Sequence, residues 1–202
     1  TATDDCGNTS TTSVTFTIQD TSASSISITA DITVECGDFT KQVGSATGTA
    51  TDVCGAVSIT SSDATVDNCG NTQVITRTWT STDDCGNATS QDQVITIIDT
   101  TPPSIDVAAS NMTVECDGAG NMAEYNAWLA NNGGAMASDI CGSVTFTNNS
   151  GSQNFSDLCG ATGSVTITFT ATDECGNVST TMATFTIQDT SAPTISVPAD
   201  VT

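Results

Sequence analysis

The chain has 202 residues, with 23 acidic groups against two basic ones and no histidine, for a formal charge of -21. A field of that sign repels nucleic acid and anionic lipid surfaces, so neither is expected as a partner. Without histidine no Ser-His-Asp or Cys-His arrangement can be built, and no apolar run approaches the roughly 20 residues that a membrane span needs.

TDDCGN stands at Thr3, returns at Thr82, and comes back as TDECGN at Thr172. TIQDTSAS from Thr17, TIIDTTPP from Thr96 and TIQDTSAP from Thr186 follow it in turn, and ITVECG from Ile32 matches MTVECD from Met112. Motifs in fixed order mark tandem repeats, and Pro-rich or Asp-Thr stretches mark their joints. Residues 1-20 read as the C-terminal hairpin of a preceding repeat. Residues 21-99 and 100-189 read as two whole repeats, and 190-202 as the start of a following one.

Within a repeat the strands alternate apolar and Thr positions. ISIT, ITVEC, GTATD and AVSIT come first, and a hairpin closes the unit. SVTITFTAT puts Val165, Ile167, Phe169 and Ala171 on one face and Thr166, Thr168 and Thr170 on the other. ATFTI, after the TDECGN loop, does the same. The predicted class is all-β, tandem immunoglobulin-like sandwiches. The second repeat carries an insertion near 121-132, where Asn121 is placed to cap a short helix, with Glu124 three residues on. Tyr125, Trp128 and Leu129 share a face, and Gly133 is the stop. Those two rings enlarge a small core or, alternatively, form a platform for glycan.

Seven of the nine cysteines lie in Asp-x-Cys-Gly, after Asp4, Asp52, Asp67, Asp83, Asp139, Asp157 and Asp173; the others follow Glu35 and Glu115. Zinc and iron-sulfur sites want close Cys pairs, which are absent from the sequence. A reactive thiolate wants a cation or base nearby, whereas each cysteine here has a carboxylate. Disulfides remain, and they imply an oxidising compartment. Strand directions put Cys54 and Cys85 at one pole of the first repeat and Cys36 and Cys69 at the other. The predicted pairs are Cys54 with Cys85 and Cys36 with Cys69, then Cys141 with Cys175 and Cys116 with Cys159, leaving Cys6 to a partner outside the chain.

The same strand directions carry Asp99 to the pole of the second repeat that holds Asp139, Asp173, Glu174 and Asn177. Asp20 meets Asp52, Asp83, Asp84 and Asn87 in the same way. Both sets offer the oxygen ligands that calcium takes, and they also suit plain turn-capping. Their recurrence at every joint speaks for architecture over catalysis, so no enzyme is expected. Arg77, on the inward face beside Trp79, is expected to pair with a carboxylate at a pole.

TATDDCGNTS...TFTIQDT, TPPSI...MTVEC and ECDGAGNMAEYNAWLANNGGAMASDICG together resemble the tandem HYR-type, immunoglobulin-like repeats of giant Bacteroidota cell-surface proteins, gliding-motility adhesins among them. The resemblance implies export by type IX secretion and an extracellular, cell-surface role as a long stalk or filament in adhesion or gliding. Its partners would be neighbouring repeats, surface glycans or other cells. Other readings are a glycan-binding module, accessory repeats on a secreted hydrolase, and ice binding through Thr rows. Unequal repeat lengths disfavour the last.

Overall fold

The structure, a computed structural model, describes residues 1-38, 47-156 and 160-196, so Lys41 and Cys159 lie outside the described residues. Strands β1 (Ala2–Thr3) and β2 (Thr9–Ser10) pair around the first TDDCGN loop. The first whole repeat supplies β3 (Ser25–Ile28), β4 (Ile32–Glu35), β5 (Gly48–Thr51), β6 (Val57–Asp67), β7 (Gln73–Asp83) and β8 (Ala88–Ile98). The second supplies β9 (Ser104–Val107), β10 (Met112–Glu115), α1 (Met122–Ala130), β11 (Met136–Ser138), β12 (Val144–Asn148), β13 (Gly163–Asp173) and β14 (Val178–Gln188).

Each repeat makes a two-stranded and a four-stranded sheet with the same order. β3 pairs with β5 beside β4-β8-β7-β6, and β9 pairs with β11 beside β10-β14-β13-β12. In both four-stranded sheets an early strand joins the last one in parallel, with Ile32 opposite Ile95 and Met112 opposite Phe185. The fold is all-β and immunoglobulin-like, with one short helix. The chain groups into two compact units that cut across the sequence repeat. Among the described residues, one draws on 1-31, 47-64 and 76-94, the other on 32-38, 65-75, 95-156 and 160-196.

The second unit has the apolar core that alternation predicts. Val165, Ile167 and Phe169 from β13 and Ala183, Phe185 and Ile187 from β14 are buried with Tyr125 and Trp128 from α1. Trp128 meets Phe169 edge-on at 5.3 Å between ring centres, and Tyr125 meets Phe185 at 5.3 Å and Phe155 at 5.1 Å. The indole N–H donates to the Ser110 carbonyl at 3.1 Å, which satisfies its one polar atom. Both rings are only 7% exposed, so they enlarge the core as expected, and the alternative of a glycan platform at Tyr125 and Trp128 is corrected: their faces are spent on the core. Asn121 does precede the helix, but at φ 52 its side chain makes no cap. It turns back instead, accepting from Asp117 N–H at 3.2 Å and donating to the Glu115 carbonyl at 3.0 Å, which closes the loop before α1.

In the first unit the matching inward positions are polar. Gln93 is fully buried and satisfied: its Oε1 accepts from Trp79 Nε1 at 3.2 Å, and its Nε2 donates to Thr29 Oγ1 at 2.8 Å and the Ala30 carbonyl at 2.9 Å. The hydroxyls of Ser24 and Ser81 meet at 2.6 Å. A buried amide with all these partners ties β7, β8 and the β3-β4 turn together, where an unpaired one would cost about 1–3 kcal/mol. Arg77 pairs with a carboxylate, but that of Asp63 on the adjoining strand β6, at 2.7 Å from both Nε and Nη2, rather than one at a pole. Its guanidinium also sits 5.7 Å from the Trp79 ring centre.

Trp128→Ala is expected to destabilise the second unit by about 3–5 kcal/mol, read from urea unfolding, because a large cavity opens against Phe169 and Phe185. A loss under about 1 kcal/mol, the scale of a surface change, would contradict the core role.

Candidate functional site

The Asp of Asp-x-Cys-Gly is a turn-former first. Asp173 Oδ1 accepts the N–H groups of Cys175 at 2.8 Å and Asn177 at 2.9 Å, and Oδ2 accepts from Asn177 Nδ2 at 2.9 Å. Asp83 repeats the set on Cys85 and Asn87, and Asp4 on Cys6 and Asn8. Gly176 at φ 90 then takes the left-handed turn that a Cβ would resist. Burial acts to raise the Asp173 pKa, but the bonds from Asn177 and the backbone outweigh it and leave it below the ordinary carboxylate value. The shorter loops work alike: Asp52 and Asp139 each accept the N–H of the cysteine two residues on, at 2.7 Å. The motif therefore fixes the backbone that presents Cys6, Cys54, Cys85, Cys141 and Cys175.

Among the described residues four cysteines are bonded, three from this motif and Cys36, in pairs that correct the sequence expectation. Cys36 joins Cys141 and Cys69 joins Cys175, with Cα separations of 5.7 and 5.1 Å. Each bond runs from the first repeat to the second, and all four residues lie in one compact unit. Placing Cys36 and Cys69 at one end and Cys141 and Cys175 at another is compatible with this; pairing them within a repeat is not. The reason is a close backbone approach across the joint. Asn71 N–H donates to the Cys141 carbonyl at 2.7 Å. Gly70, at φ 55, leaves room where a Cβ would run into that same carbonyl oxygen. Cys141 is 1% exposed as a result.

The expected Cys54 to Cys85 bond is absent; both residues are exposed and unbonded, as is Cys6. Cys116 is also unbonded, with its Sγ 3.9 Å from the Ala161 carbonyl, and its expected partner Cys159 lies outside the described residues. The Cys54 thiol has a raised pKa because Asp20, burial, Asp52, Cys85 and Asp83 all disfavour the thiolate, which does not suit a nucleophile.

Of the carboxylates proposed as cation ligands, the structure brings Asp99 and Asp139 together with Cys141, their ligand atoms within 4.8 Å of one another. Asp20, Asp52 and Cys54 form the matching group. The others have other partners. Asp173 and Asp83 are held in their turns, Glu174 accepts from Ser143 Oγ at 2.7 Å, and Asp84 accepts from Ala56 N–H at 3.2 Å. Asn177 Nδ2 donates to the Asp99 carbonyl at 3.2 Å, and Asn87 Nδ2 to that of Asp20 at 3.3 Å, so each amide bonds the incoming linker. Burial and the charges of Asp139, Asp173 and Glu35 raise the Asp99 pKa against the bond from Thr101.

Two residues escaped the sequence reading. Glu35 accepts from Thr100 N–H at 2.6 Å, Thr100 Oγ1 at 3.2 Å and Thr101 Oγ1 at 3.0 Å, clamping the start of the linker. Glu115 holds Thr190 and Ser191 with the same three bonds. The signal was available in the pairing of each Val-Glu-Cys with a downstream Asp-Thr-Thr or Asp-Thr-Ser.

No protein-family model matches the sequence, and no curated protein matches it. Among solved structures, a Drosophila N-cadherin EC1-4 fragment is 10% identical over 83% of this chain and 50% of its own, with a TM-score of 0.35. The human mucin-like protocadherin EC1-2 fragment is 11% identical over 83% of this chain and 100% of its own, with a TM-score of 0.33. The chain thus spans half the length of the N-cadherin fragment. Likeness at these scores carries no functional argument.

The Glu35 pKa lies below its ordinary value, chiefly through the Thr100 N–H bond, opposed by burial and helped by the two hydroxyls. A depressed carboxylate stabilises above the ordinary glutamate pKa of about 4.3 and loses that contribution as pH falls through the folded value. The Thr100 amide resonance should therefore titrate with a midpoint under about 4.3 in NMR spectra, and Glu35→Gln should abolish the titration. A midpoint at or above that value would count against the clamp.

Proposed function

We propose that the chain is a structural segment of a long extracellular surface adhesin or filament stalk, made of tandem sandwiches tied covalently from one repeat to the next. The observation that carries this is the pair of bonds Cys36–Cys141 and Cys69–Cys175, both of which cross the repeat boundary. Stable disulfides belong to an oxidising, extracellular setting. A joint with two of them, a clamped linker and a close backbone contact serves to hold successive repeats in one arrangement. The HYR-type resemblance, with its type IX export, cell-surface location and gliding or adhesive role, agrees with that use. Glycan binding has lost its two aromatic residues to the core.

Calcium is the cofactor that the reading would add. Asp99 and Asp139 face one another at the joint, each with one carboxylate oxygen bonded to a backbone N–H, at Thr101 and Cys141. Burial first, and then the like charge of Asp139 with those of Asp173 and Glu35, raise the Asp99 pKa, so ionising Asp99 at neutral pH opposes folding unless a cation offsets it. A hard divalent ion suits two carboxylates with carbonyl oxygens and water filling its shell. Cys141 would not be a ligand, since its sulfur is bonded to Cys36.

An antibody against the chain should label unpermeabilised cells that make it, along structures standing off the surface. Label that appears only after permeabilisation would overturn the stalk reading. Millimolar calcium should raise the melting temperature over that in chelator by about 5–10 °C, and Asp139→Asn should remove most of the rise. No shift would eliminate calcium and leave the stalk reading standing.

A further inference from the structure

The loops bearing Cys54 and Cys85 repeat, feature for feature, the loops that receive Cys36 and Cys69 in the second repeat. Cys54 occupies the place of Cys141, and Cys85 that of Cys175. Asp52 holds the Cys54 N–H as Asp139 holds that of Cys141, both at 2.7 Å. Asn87 donates to the Asp20 carbonyl as Asn177 donates to that of Asp99. The groups Asp20-Asp52-Cys54 and Asp99-Asp139-Cys141 gather within the same 4.8 Å. One difference separates the two faces: Cys141 is buried, while Cys54 and Cys85 are exposed, Cys54 beside a cleft of about 640 Å³.

A second observation names the occupant. TFTIQDTSA occurs twice, from Thr15 and from Thr184. In the second copy the segment belongs to β14 and pairs with β13, and Phe185 and Ile187 are 0% and 4% exposed. In the first copy the same letters form no strand, and Phe16 and Ile18 are 86% and 85% exposed. An apolar register that is core in one place and bare in another lacks the rest of its sandwich.

We propose that residues 1-20 are the last hairpin of a further repeat of this kind, and that Cys54 and Cys85 receive the two cysteines standing there in the places of Cys36 and Cys69. The joint between the two complete repeats is thereby one instance of a recurring double-disulfide joint, with Cys116 a donor to the next. Each bond forms as two thiols pass two electrons, with loss of two protons, to a small-molecule disulfide that is reduced to two thiols. The inference rests on the stalk reading for its setting, but that reading stands on bonds already present and survives the failure of this one.

The chain can be tested by extending it ahead of Thr3 with a copy of residues 21-81 that carries Cys54→Ser, and refolding it in reduced and oxidised glutathione. Non-reducing peptide mapping should then find Cys54 linked to a Cys36 peptide and Cys85 to a Cys69 peptide. Alkylation of Cys54 and Cys85 should fall at least tenfold relative to the unextended chain. Amides of Thr15, Phe16, Thr17 and Ile18 should gain hydrogen-exchange protection. A Cys54–Cys85 peptide overturns the proposal, and so do free thiols at Cys54 and Cys85, whether or not those amides become protected. Cys85→Ser in the extended chain should leave the Cys54 link in place, which separates two independent bonds from a scrambled mixture.

Discussion

Two disulfides between successive repeats are the constraint around which the other joint contacts are arranged. At the Cys141 and Cys175 ends they bond loops whose backbones are already fixed by Asp-to-N–H turns, so little freedom remains there for the bonds to remove locally. Their larger effect is on the unfolded chain, because they close loops with sequence separations of 105 and 106. Loops of that size correspond to about 4–5 kcal/mol each in the chain-entropy model, less than additively for two that interlock. For repeats with few aromatics this is comparable to the net stability of a small domain, about 5–15 kcal/mol.

The two repeats share one apolar end, with Ile75, Ile95 and Ile97 buried where Val165, Phe185 and Ile187 are, and differ in what fills the inward register beyond it. The second fills its inward register with Ile167, Phe169, Ala171 and Ala183 and lays Trp128 over them. The first has Arg77, Trp79, Ser81 and Gln93 in those places and satisfies them by hydrogen bonds and an ion pair. An apolar interior is stabilised roughly in proportion to area, whereas a polar one depends on every partner being present. The first is therefore the less forgiving of substitution, although neither carries an unpartnered buried side-chain polar atom among the described residues.

Strands and the α1 insertion were legible because period-two alternation and motif spacing are local signals. Val165, Ile167 and Phe169 face inward as their alternation requires. The cysteine partners were not legible within a single repeat. Strand direction assigns a cysteine to an end of a sandwich, but which loop lies opposite that end depends on the Asn71 contact with Cys141 and the space left by Gly70. The carboxylates failed differently. Asp-x-Cys-Gly reads equally as ligand or turn, and only the geometry shows that Asp83 and Asp173 spend both oxygens on their own loops.

The bond pattern also alters how a pull along the chain would be transmitted. Between Cys36 and Cys175 the backbone would extend to roughly 480 Å if fully drawn out, at about 3.5 Å per residue. With Cys36 joined to Cys141 and Cys69 to Cys175, tension need cross only one disulfide and one short stretch, either from Cys36 to Cys69 or from Cys141 to Cys175. That route is spent after roughly 120 Å. The two sulfur bridges thus act as a tether stop: under load the stretch from Cys36 to Cys175 gives up about a quarter of the length held in its backbone, and the remainder stays off the line of force.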